Sequence, residues 1–435
     1  MNYLNLKIKR KVFYMRKLKA IVVGAGSRGA TYSTVMSNNK EKFQIVAVAE
    51  PKKDRRDYIK DLYDLENNMC FESYEPLFEL GKIADFAVIA TMDKDHLKPA
   101  LKAIELGYDL LLEKPIAPTA EECIEINNAA NKKGVKVLVC TVLRYTDIFK
   151  TLKNFIDSGK IGKVMSINHE ECVGNVHQSH SFVRGNWGNS KRSSDMLLQK
   201  SCHDLDILQW LINKKCKSVQ SFGALSYFKA ENAPEGAPEY CIQGCPVGDE
   251  CPYNAAKLYF DKKWAWLREP AANKPNPTDE DLMEVITKTQ YGKCVFKCDN
   301  DVVDHQTVNM LFEDDVTVTF TMNAFNKGGR FIHIMGTRGE LRAALDEATP
   351  ITYFNFVKHK TETIPLVGKD GIAGGHGGGD TGIMLDLYDY FTDNYSGVSI
   401  PTIEESLYNH MLVFATEHAR KTNTIVDVEK FIATF

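Results

Sequence analysis

Short apolar runs alternate with amphipathic segments through the first third of the chain. The apolar runs predict buried strands at KAIVV, FQIVAVAEP, ADFAVIAT, YDLLLEKP and VKVLVCTVLR. Apolar positions at helical spacing predict helices at RGATYSTVM, HLKPALKAIELG and AEECIEINNAANKKG. Strands that alternate with helices form a parallel sheet with right-handed crossovers, and ligands bind beyond the carboxyl ends of such strands. The pattern therefore predicts an α/β domain with a binding cleft at one edge of its sheet.

A glycine-rich loop joins the first predicted strand to the first predicted helix. Gly24, Gly26 and Gly29 have the spacing of a dinucleotide-binding loop, in which Ser27 and Arg28 open the helix. In such a loop the first glycine permits the tight turn, the second lets the backbone approach the pyrophosphate, and the third lets the helix pack closely. The helix N-terminus then faces the phosphate charge. An ordinary strand–helix turn is the alternative, but the surrounding strand and helix favour a dinucleotide.

An acidic residue, Glu50, ends the second predicted strand. A carboxylate at that position accepts hydrogen bonds from the adenosine ribose and repels a 2′-phosphate, which favours NAD. Lys52, Arg55 and Arg56 follow closely, so NADP stays open as the alternative cofactor.

Polar residues also follow the later predicted strands. Because the carboxyl ends of parallel strands share one edge of the sheet, the residues after two of them are expected at the cofactor. These candidates are Thr91, His96, Glu113 and Lys114. The last predicted strand ends at Arg144, next to Tyr145, and we expect both of these residues at the substrate.

Three segments in this order, VVGAGSRG, VIATMDKDH and LLEKPIAPT, resemble the glucose–fructose oxidoreductase / inositol 2-dehydrogenase family (Gfo/Idh/MocA). The resemblance extends over nearly the whole chain through IDSGKIGKVMSI, CHDLDILQWL and IEESLYNHMLVFATEHARKTNTIV. It implies an N-terminal Rossmann domain and a C-terminal α/β domain with an open, largely antiparallel sheet that forms a homo-oligomer interface. We expect these domains at 15–143 and 144–435, after a disordered arm or start-site artefact at 1–14.

The resemblance also implies NAD(P)-linked oxidation or reduction of a hydroxyl on a sugar or cyclitol. Hydride leaves a carbinol carbon as a base takes the hydroxyl proton, and a nearby cation stabilises the developing alkoxide. Lys114 is the expected cation, and His203 is the expected base because a histidine pKa lies near neutrality. A surface lysine and a structural histidine are the alternatives.

The run before His203 departs from the family. The family has an aspartate four residues before this histidine, whereas here Gln199 stands at that position. Glutamine cannot act as a general base, so Lys200 becomes a further catalytic candidate. Asp206 lies about one helical turn beyond His203 and is expected to contact the substrate or to orient a neighbour.

Two segments of the second part predict the substrate pocket. NVHQSHSFVRGNWGNS supplies His180 and Trp187, side chains suited to the hydroxyls and C–H faces of a carbohydrate. GIAGGHGGGDTGIMLDLYDYF places His376 in a glycine-rich loop that suits close approach to a ligand. This loop is similar to a glycine–histidine–glycine segment of NAD-dependent glycosidases that share the fold. A solvated loop and a disordered linker are the structural alternatives.

A stretch at about 231–289 is atypical of the family and contains Cys241, Cys245 and Cys251. Together with Cys294 and Cys298 these thiolates could hold structural zinc, although their spacing matches no paired C-x-x-C pattern. Reduced or occasionally bridged thiols are the alternative. We interpret the stretch as an insertion that shapes or covers the mouth of the active site.

Composition and net charge limit the binding partners and the cellular compartment that fit this chain. The formal net charge is −3 over 435 residues, which gives no broad attraction to nucleic acid or to anionic membranes. No apolar run is long enough to span a bilayer. The 11 scattered cysteines do not resemble a disulfide framework and indicate the reducing cytoplasm.

Three functions fit these observations. The first is a dehydrogenase of a sugar, glycoside or cyclitol that exchanges its NAD(P). The second is a redox-neutral glycosidase that keeps its NAD while it oxidises the sugar, eliminates the aglycone and reduces the sugar again. The third is a non-catalytic NAD(P)-binding sugar sensor, against which Lys114 and His203 argue.

Overall fold

A computed structural model of the protein describes residues 16–346, 348–367 and 378–435. The expected arm at 1–14 and the candidate substrate ligand His376 lie outside this part of the chain. No helix within the described ranges is both long enough and apolar enough to cross a membrane.

The alternating first part of the chain forms a parallel sheet with helices on both faces. Its elements are β1 (Leu18–Val23), α1 (Ser27–Ser37), β2 (Phe43–Ala49), α2 (Lys53–Tyr63), β3 (Cys70–Phe71), α3 (Tyr74–Glu79), β4 (Phe86–Ile89), α4 (Leu97–Leu106), β5 (Asp109–Leu112), α5 (Ala120–Lys133) and β6 (Val137–Val139). The strand order is β3-β2-β1-β4-β5-β6, and all the pairings are parallel. Apolar side chains fill a core on each face. The predicted Rossmann sheet is confirmed.

The direction of strand progression reverses at β1, which lies between β2 and β4. The crossovers on the two sides of β1 therefore diverge and leave a crevice at its carboxyl end, the usual ligand position in such sheets. The glycine loop after β1 and the turn after β4 border this crevice.

The second part of the chain builds a nine-stranded sheet in the order β14-β13-β12-β11-β7-β10-β9-β8-β15. Its elements are α6 (Asp147–Asp157), β7 (Val164–Cys172), α7 (Asn175–His177), α8 (Met196–Ile212), β8 (Cys216–Ala224), α9 (Ala255–Phe260), α10 (Arg268–Ala272), α11 (Asp279–Lys288), β9 (His305–Phe312), β10 (Thr317–Asn323), β11 (Gly329–Gly336), β12 (Gly339–Ala344), β13 (Ile351–Asn355), β14 (Lys360–Ile364), α12 (Gly379–Phe391), α13 (Ile403–Thr422), β15 (Val426–Asp427) and α14 (Val428–Ile432). Among the described strands of this second sheet, only β7 and β10 pair in parallel. The expected largely antiparallel sheet is confirmed.

The helix α8 carries the candidate catalytic residues and is buried along almost its whole length. Apolar side chains of α6, α8 and α13 pack with those of the second sheet in one core. Because this core fixes α8, the start of this helix has a defined position relative to the second sheet.

Between β8 and β9 the chain forms α9, α10 and α11 instead of a short hairpin. These helices share a small core of their own, in which Leu267, Tyr259 and Ile286 are buried. A segment with its own core can hold side chains rigidly at the edge of the neighbouring cleft.

Candidate functional site

A cavity of about 2730 Å³ lies between the carboxyl edge of the parallel sheet and the start of α8, and α10 borders it on a third side. Both domains contribute to its wall. The predicted residues that line it are Gly24, Gly26, Ser27, Arg28, Glu50, Thr91, His96, Glu113, Lys114, His180, Trp187, Lys200 and His203.

The glycine loop has the geometry that a bound pyrophosphate requires. Gly24 has φ +89°, and an added Cβ would lie 2.6 Å from the carbonyl oxygen of Ala90. A Cβ on Gly29 would lie 2.0 Å from the carbonyl oxygen of Gly24, so the helix can pack closely only with glycine there. At Gly26 the nearest atom to an added Cβ is an Arg55 side-chain nitrogen at 3.5 Å. The space over Gly26, at the start of α1, is therefore open to a phosphate group.

The carboxylate of Glu50 is buried at the end of β2. It accepts hydrogen bonds from the backbone N–H groups of Ala25, at 2.7 Å, and Lys52, at 3.0 Å. This fixes a negative charge beside the glycine loop, where an adenosine ribose would lie. Arg55 lines the same end of the cavity and donates a hydrogen bond to the side-chain oxygen of Asn273, after α10.

His96 is buried, and its ring nitrogens contact backbone carbonyl groups in the turns after β4 and β5. Its Nδ1 lies 2.9 Å from the carbonyl oxygen of Pro115, and its Nε2 lies 3.2 Å from that of Thr91. The Thr91 hydroxyl in turn donates to the carbonyl oxygen of Asp95. These contacts hold the turn next to Lys114, which precedes Pro115 through a cis peptide bond.

Glu113 is tied to the glycine loop through Arg28. The Arg28 guanidinium donates to Glu113 at 2.7 Å and to Asp380, at the start of α12, at 2.6 Å. Burial alone would raise the pKa of Glu113, but the charge of Arg28 and hydrogen bonds from Tyr32 and Arg28 hold that pKa below its usual value. Both residues line the cavity, and their ion pair fixes the base of the cofactor site.

Lys114 reaches across the cavity to α8. Its Nζ donates a hydrogen bond to the carbonyl oxygen of Gln199 at 2.8 Å. The Gln199 side chain donates to Asp93 Oδ2 at 2.8 Å, and the Ser193 hydroxyl donates to the same oxygen at 2.8 Å. The family's aspartate is absent from α8, but a buried carboxylate, Asp93, lies next to the glutamine that replaces it. Asp93 was not among the residues predicted from the sequence, although its position four residues after β4, in the turn that also holds Thr91 and His96, was a usable signal.

Lys200 points to a charged cluster behind the cavity wall. Its Nζ lies 3.1 Å from Glu171 Oε1, and Arg330 pairs with both Glu171 and Asp204. Asp204 also lies 2.8 Å from Nε2 of His169. Burial, followed by the charge of Arg330, lowers the pKa of Lys200. A lysine with a lowered pKa gives up its proton more readily, so Lys200 can take part in proton transfer.

Arg330, which the sequence analysis also missed, lines the cavity beside Lys200. Burial alone would lower its pKa, but the charges of Asp204 and Glu171 raise the pKa above its ordinary value. It lies on β11 and is paired in register with Glu171 on β7. No local motif around Arg330 connects it with α8, so only the strand pairing reveals it.

His203 lies on α8 one turn after Gln199, is largely buried and lines the cavity. His177 and His180 line the wall that follows β7. Burial, with the nearby charge of Lys200, holds the pKa of His177 well below its ordinary value. Burial and the charge of Arg184 lower the pKa of His180 to about 3. Burial therefore favours the neutral form of both imidazoles.

The structure places three expected substrate residues away from the cavity. Arg144 and Asp206 are 2% and 1% exposed and form a two-contact ion pair with distances of 2.7 Å. Tyr145 is buried against α12. The chain turns inward after β6, so Arg144 and Asp206 pair with each other in the protein interior instead of facing a ligand.

For the cysteines of the insertion, structural zinc and reduced thiols were the alternatives, and the geometry favours reduced thiols. Cys241, Cys245 and Cys251 are free thiols around a small cavity beside Arg184. In the part of the chain that the structure describes, no three histidine, cysteine or acidic side chains are grouped to hold a metal ion. These thiols therefore act as packing groups of the insertion in this structure.

Family comparison matches both halves of the chain. The NAD-binding Rossmann fold of the oxidoreductase family matches residues 18–141, and the C-terminal alpha/beta domain of that family matches residues 153–428. A Bacillus subtilis relative named "Putative oxidoreductase YteT" is 25% identical over 73% of this chain and 74% of its own. Inositol 2-dehydrogenase of Salmonella typhimurium is 26% identical over 47% of this chain and 57% of its own. The chain thus spans little more than half of that relative.

Solved structures share the fold. Scyllo-inositol dehydrogenase of Lactobacillus casei, with bound NAD(H) and scyllo-inositol, has a TM-score of 0.63 at 18% identity, covering 95% of this chain and 100% of that one. An NAD-binding protein of Listeria innocua has a TM-score of 0.64 at 18% identity, covering 96% and 99%. With the glycine loop, Glu113 and Lys114 arranged as described, and with both family domains matched, the chain belongs to the Gfo/Idh/MocA oxidoreductase family and is an NAD(P)-dependent oxidoreductase with an NAD-binding Rossmann domain.

Proposed function

We propose that this NAD-dependent enzyme transfers hydride between the nicotinamide and a hydroxyl-bearing carbon of a sugar, glycoside or cyclitol. The main support for this proposal is that Lys114, Lys200 and His203 line the same cavity as the glycine loop, although they come from two domains. Inositol 2-dehydrogenase and 2,7-anhydro-N-acetylneuraminate hydratase among the relatives act on ring polyols, as their names state, which supports this substrate class.

The glycine loop would hold NAD through its pyrophosphate, and the bound cofactor would supply the hydride acceptor. The protein's own task is then to position a hydroxyl group and move its proton. Lys114 Nζ, at 2.8 Å from the Gln199 carbonyl oxygen, is held at the mouth of the turn after β5 and can donate to the developing alkoxide. His203 faces the same cavity from α8 and accepts the hydroxyl proton.

Lys200 and Asp93 assist this pair in the proposal. Lys200, whose pKa is lowered by burial, stands next to Lys114 and His203 in the wall and passes the proton onward or replaces His203 as base. Asp93 fixes the Gln199 side chain and thereby the start of α8. Because α8 is held rigidly, the catalytic side chains of both domains stay within reach of the substrate hydroxyl group.

A redox-neutral glycosidase is the second candidate. The contact between Arg55 and Asn273 favours it, because it spans the end of the cavity where the adenosine ribose would lie. A cofactor behind such a contact is released slowly, which suits an enzyme that keeps NAD between turnovers.

One experiment tests the proposed function and separates the two candidates. The purified protein is incubated with NAD and a panel of free sugars, cyclitols and aryl glycosides, while NADH formation and aglycone release are followed. NADH formation in proportion to product supports the dehydrogenase. Aglycone release without net NADH supports the glycosidase, and no reaction of either kind across the panel contradicts both.

A further inference from the structure

Two tryptophans stand unusually exposed in the wall of the cavity. Trp266, just before α10, is 46% exposed, and Trp187 is 37% exposed. Both line the cavity. Large aromatic side chains left open inside a binding cleft indicate an apolar surface that a ligand covers.

These tryptophans are the ends of a continuous row of rings, which we call the aromatic strip: Trp187, Phe182, His177 and Trp266. Trp187 lies 6.0 Å from Phe182, Phe182 lies 5.8 Å from His177, and His177 lies 5.3 Å from Trp266, measured between ring centroids. All four rings line the cavity. The rings are therefore in continuous contact, and the buried Phe182 ring supports the exposed rings at the two ends.

The strip is held rigidly from both sides. Leu267, next to Trp266, is fully buried in the core of the insertion. The Trp266 ring also packs edge-to-face on His180, at 5.6 Å, and His180 is hydrogen-bonded to Tyr259. Phe182 lies within a π-helix, Gln178–Arg184, a local distortion that is frequent at functional sites.

The strip lies at the catalytic end of the cavity. His177 belongs to it, and the charges that act on this histidine include those of Lys200 and Lys114. The adenosine end, by contrast, is marked by Glu50 and Arg55. A ligand on the strip is thus next to the reacting group of the substrate.

We propose that the aromatic strip binds a second ring of the substrate, either an aglycone or a neighbouring sugar, so that the enzyme acts on glycosides in preference to free sugars. The inference rests on the proposed function, because it extends the substrate of the same site. A sugar ring presents C–H groups on its faces and hydroxyls at its rim. The faces cover the aromatic rings, and the amides of Asn186 and Gln290, which also line the cavity, are available to the rim.

The test compares free sugars with their aryl and methyl glycosides on the NAD-loaded protein. Equilibrium binding is measured by calorimetry, and kcat/KM is measured wherever turnover occurs. In the wild type we expect glycosides to bind more tightly than the matching free sugars. Trp266→Ala should lower the preference for glycosides by about tenfold, the order of effect for removing apolar contacts from a pocket. Trp266→Phe should restore most of that preference.

Met283→Ala is the matched control, because Met283 is an exposed apolar residue of the same insertion that lies outside the cavity wall. It should leave the glycoside preference unchanged. The inference is overturned if glycosides bind no better than free sugars, or if Trp266→Ala weakens both equally. It is also overturned if Trp266→Ala weakens NAD more than glycosides, because Trp266 would then serve the cofactor. Glycoside binding that depends on Trp266 without any turnover would instead contradict the proposed hydride transfer.

Discussion

Replacing Gly26 by alanine should weaken NAD binding by at least about a hundredfold without unfolding the protein. Gly26 has φ −66°, a value that alanine adopts without strain. Among the described residues, the nearest atom to the added Cβ is an Arg55 side-chain nitrogen at 3.5 Å, an ordinary contact with a flexible group. The new methyl group therefore fits the ligand-free protein and fills the space that the pyrophosphate needs.

The size of the effect follows from the hydrogen bonds that are lost. Displacing the pyrophosphate from the N-terminus of α1 removes backbone hydrogen bonds to a charged group, each worth about 1.5–3 kcal/mol. A loss of about 3 kcal/mol weakens Kd by at least about a hundredfold. Calorimetric titration with NAD measures this loss, and thermal unfolding measures stability.

Gly29→Ala is the matched control in the same loop, with the opposite expected result. Its Cβ would lie 2.0 Å from the carbonyl oxygen of Gly24, and no rotamer change relieves a clash between backbone atoms. We expect it to destabilise the fold by about 1–3 kcal/mol or more. A Gly26→Ala protein that binds NAD as tightly as the wild type would refute the assignment of this loop to the pyrophosphate.

Three further changes test other parts of the account. Arg144→Met leaves the Asp206 carboxylate buried without the Arg144 guanidinium, so urea unfolding should show a free energy of unfolding lower by about 3–5 kcal/mol. A loss of substrate affinity without a loss of stability would show that Arg144 binds the ligand. The pKa of His180 is lowered to about 3 in the folded state, so the unfolded state binds the extra proton first and the stability of the wild type should fall as the pH drops from 6.5 toward 3. In the same unfolding assay His180→Phe should be less acid-sensitive, and equal acid sensitivity would contradict a neutral His180. Burial lowers the pKa of Lys200, so the folded protein releases this proton at a lower pH than the unfolded chain does. The difference in free energy of unfolding between the wild type and Lys200→Met should therefore rise as the pH approaches 10.5, and a difference that does not change with pH would contradict the lowered pKa.

The first domain could be predicted from the sequence because its information is local. Each strand, the glycine loop and Glu50 lie within one strand–helix–strand unit, and the parallel topology follows from the alternation. Glu113 and Lys114 follow a strand and therefore reach the same edge. The structure adds why the glycines are needed, through the close contacts at Gly24 and Gly29.

The second half of the site depends on contacts between distant segments. Arg330 meets Lys200 only because β11 pairs with β7, and Trp266 reaches His177 only because the insertion folds back on the cavity. Arg144 looked like a ligand because it follows a strand, but the inward turn after β6 gives it Asp206 as a buried partner. Sequence spacing cannot distinguish these outcomes, since tertiary packing decides which polar side chains face the cavity.

The most direct test of the account is the turnover of His203→Asn and Lys114→Met, measured together with their NAD affinity. Lys114 is expected at the reacting end of the cofactor, and neither residue cradles the pyrophosphate, so the Kd for NAD should stay close to the wild-type value in both variants. The kcat/KM for the sugar, glycoside or cyclitol identified by the panel should fall at least about a hundredfold, the usual loss of a positioned acid–base group. A His203→Asn protein that binds NAD and keeps most of its turnover would contradict the account.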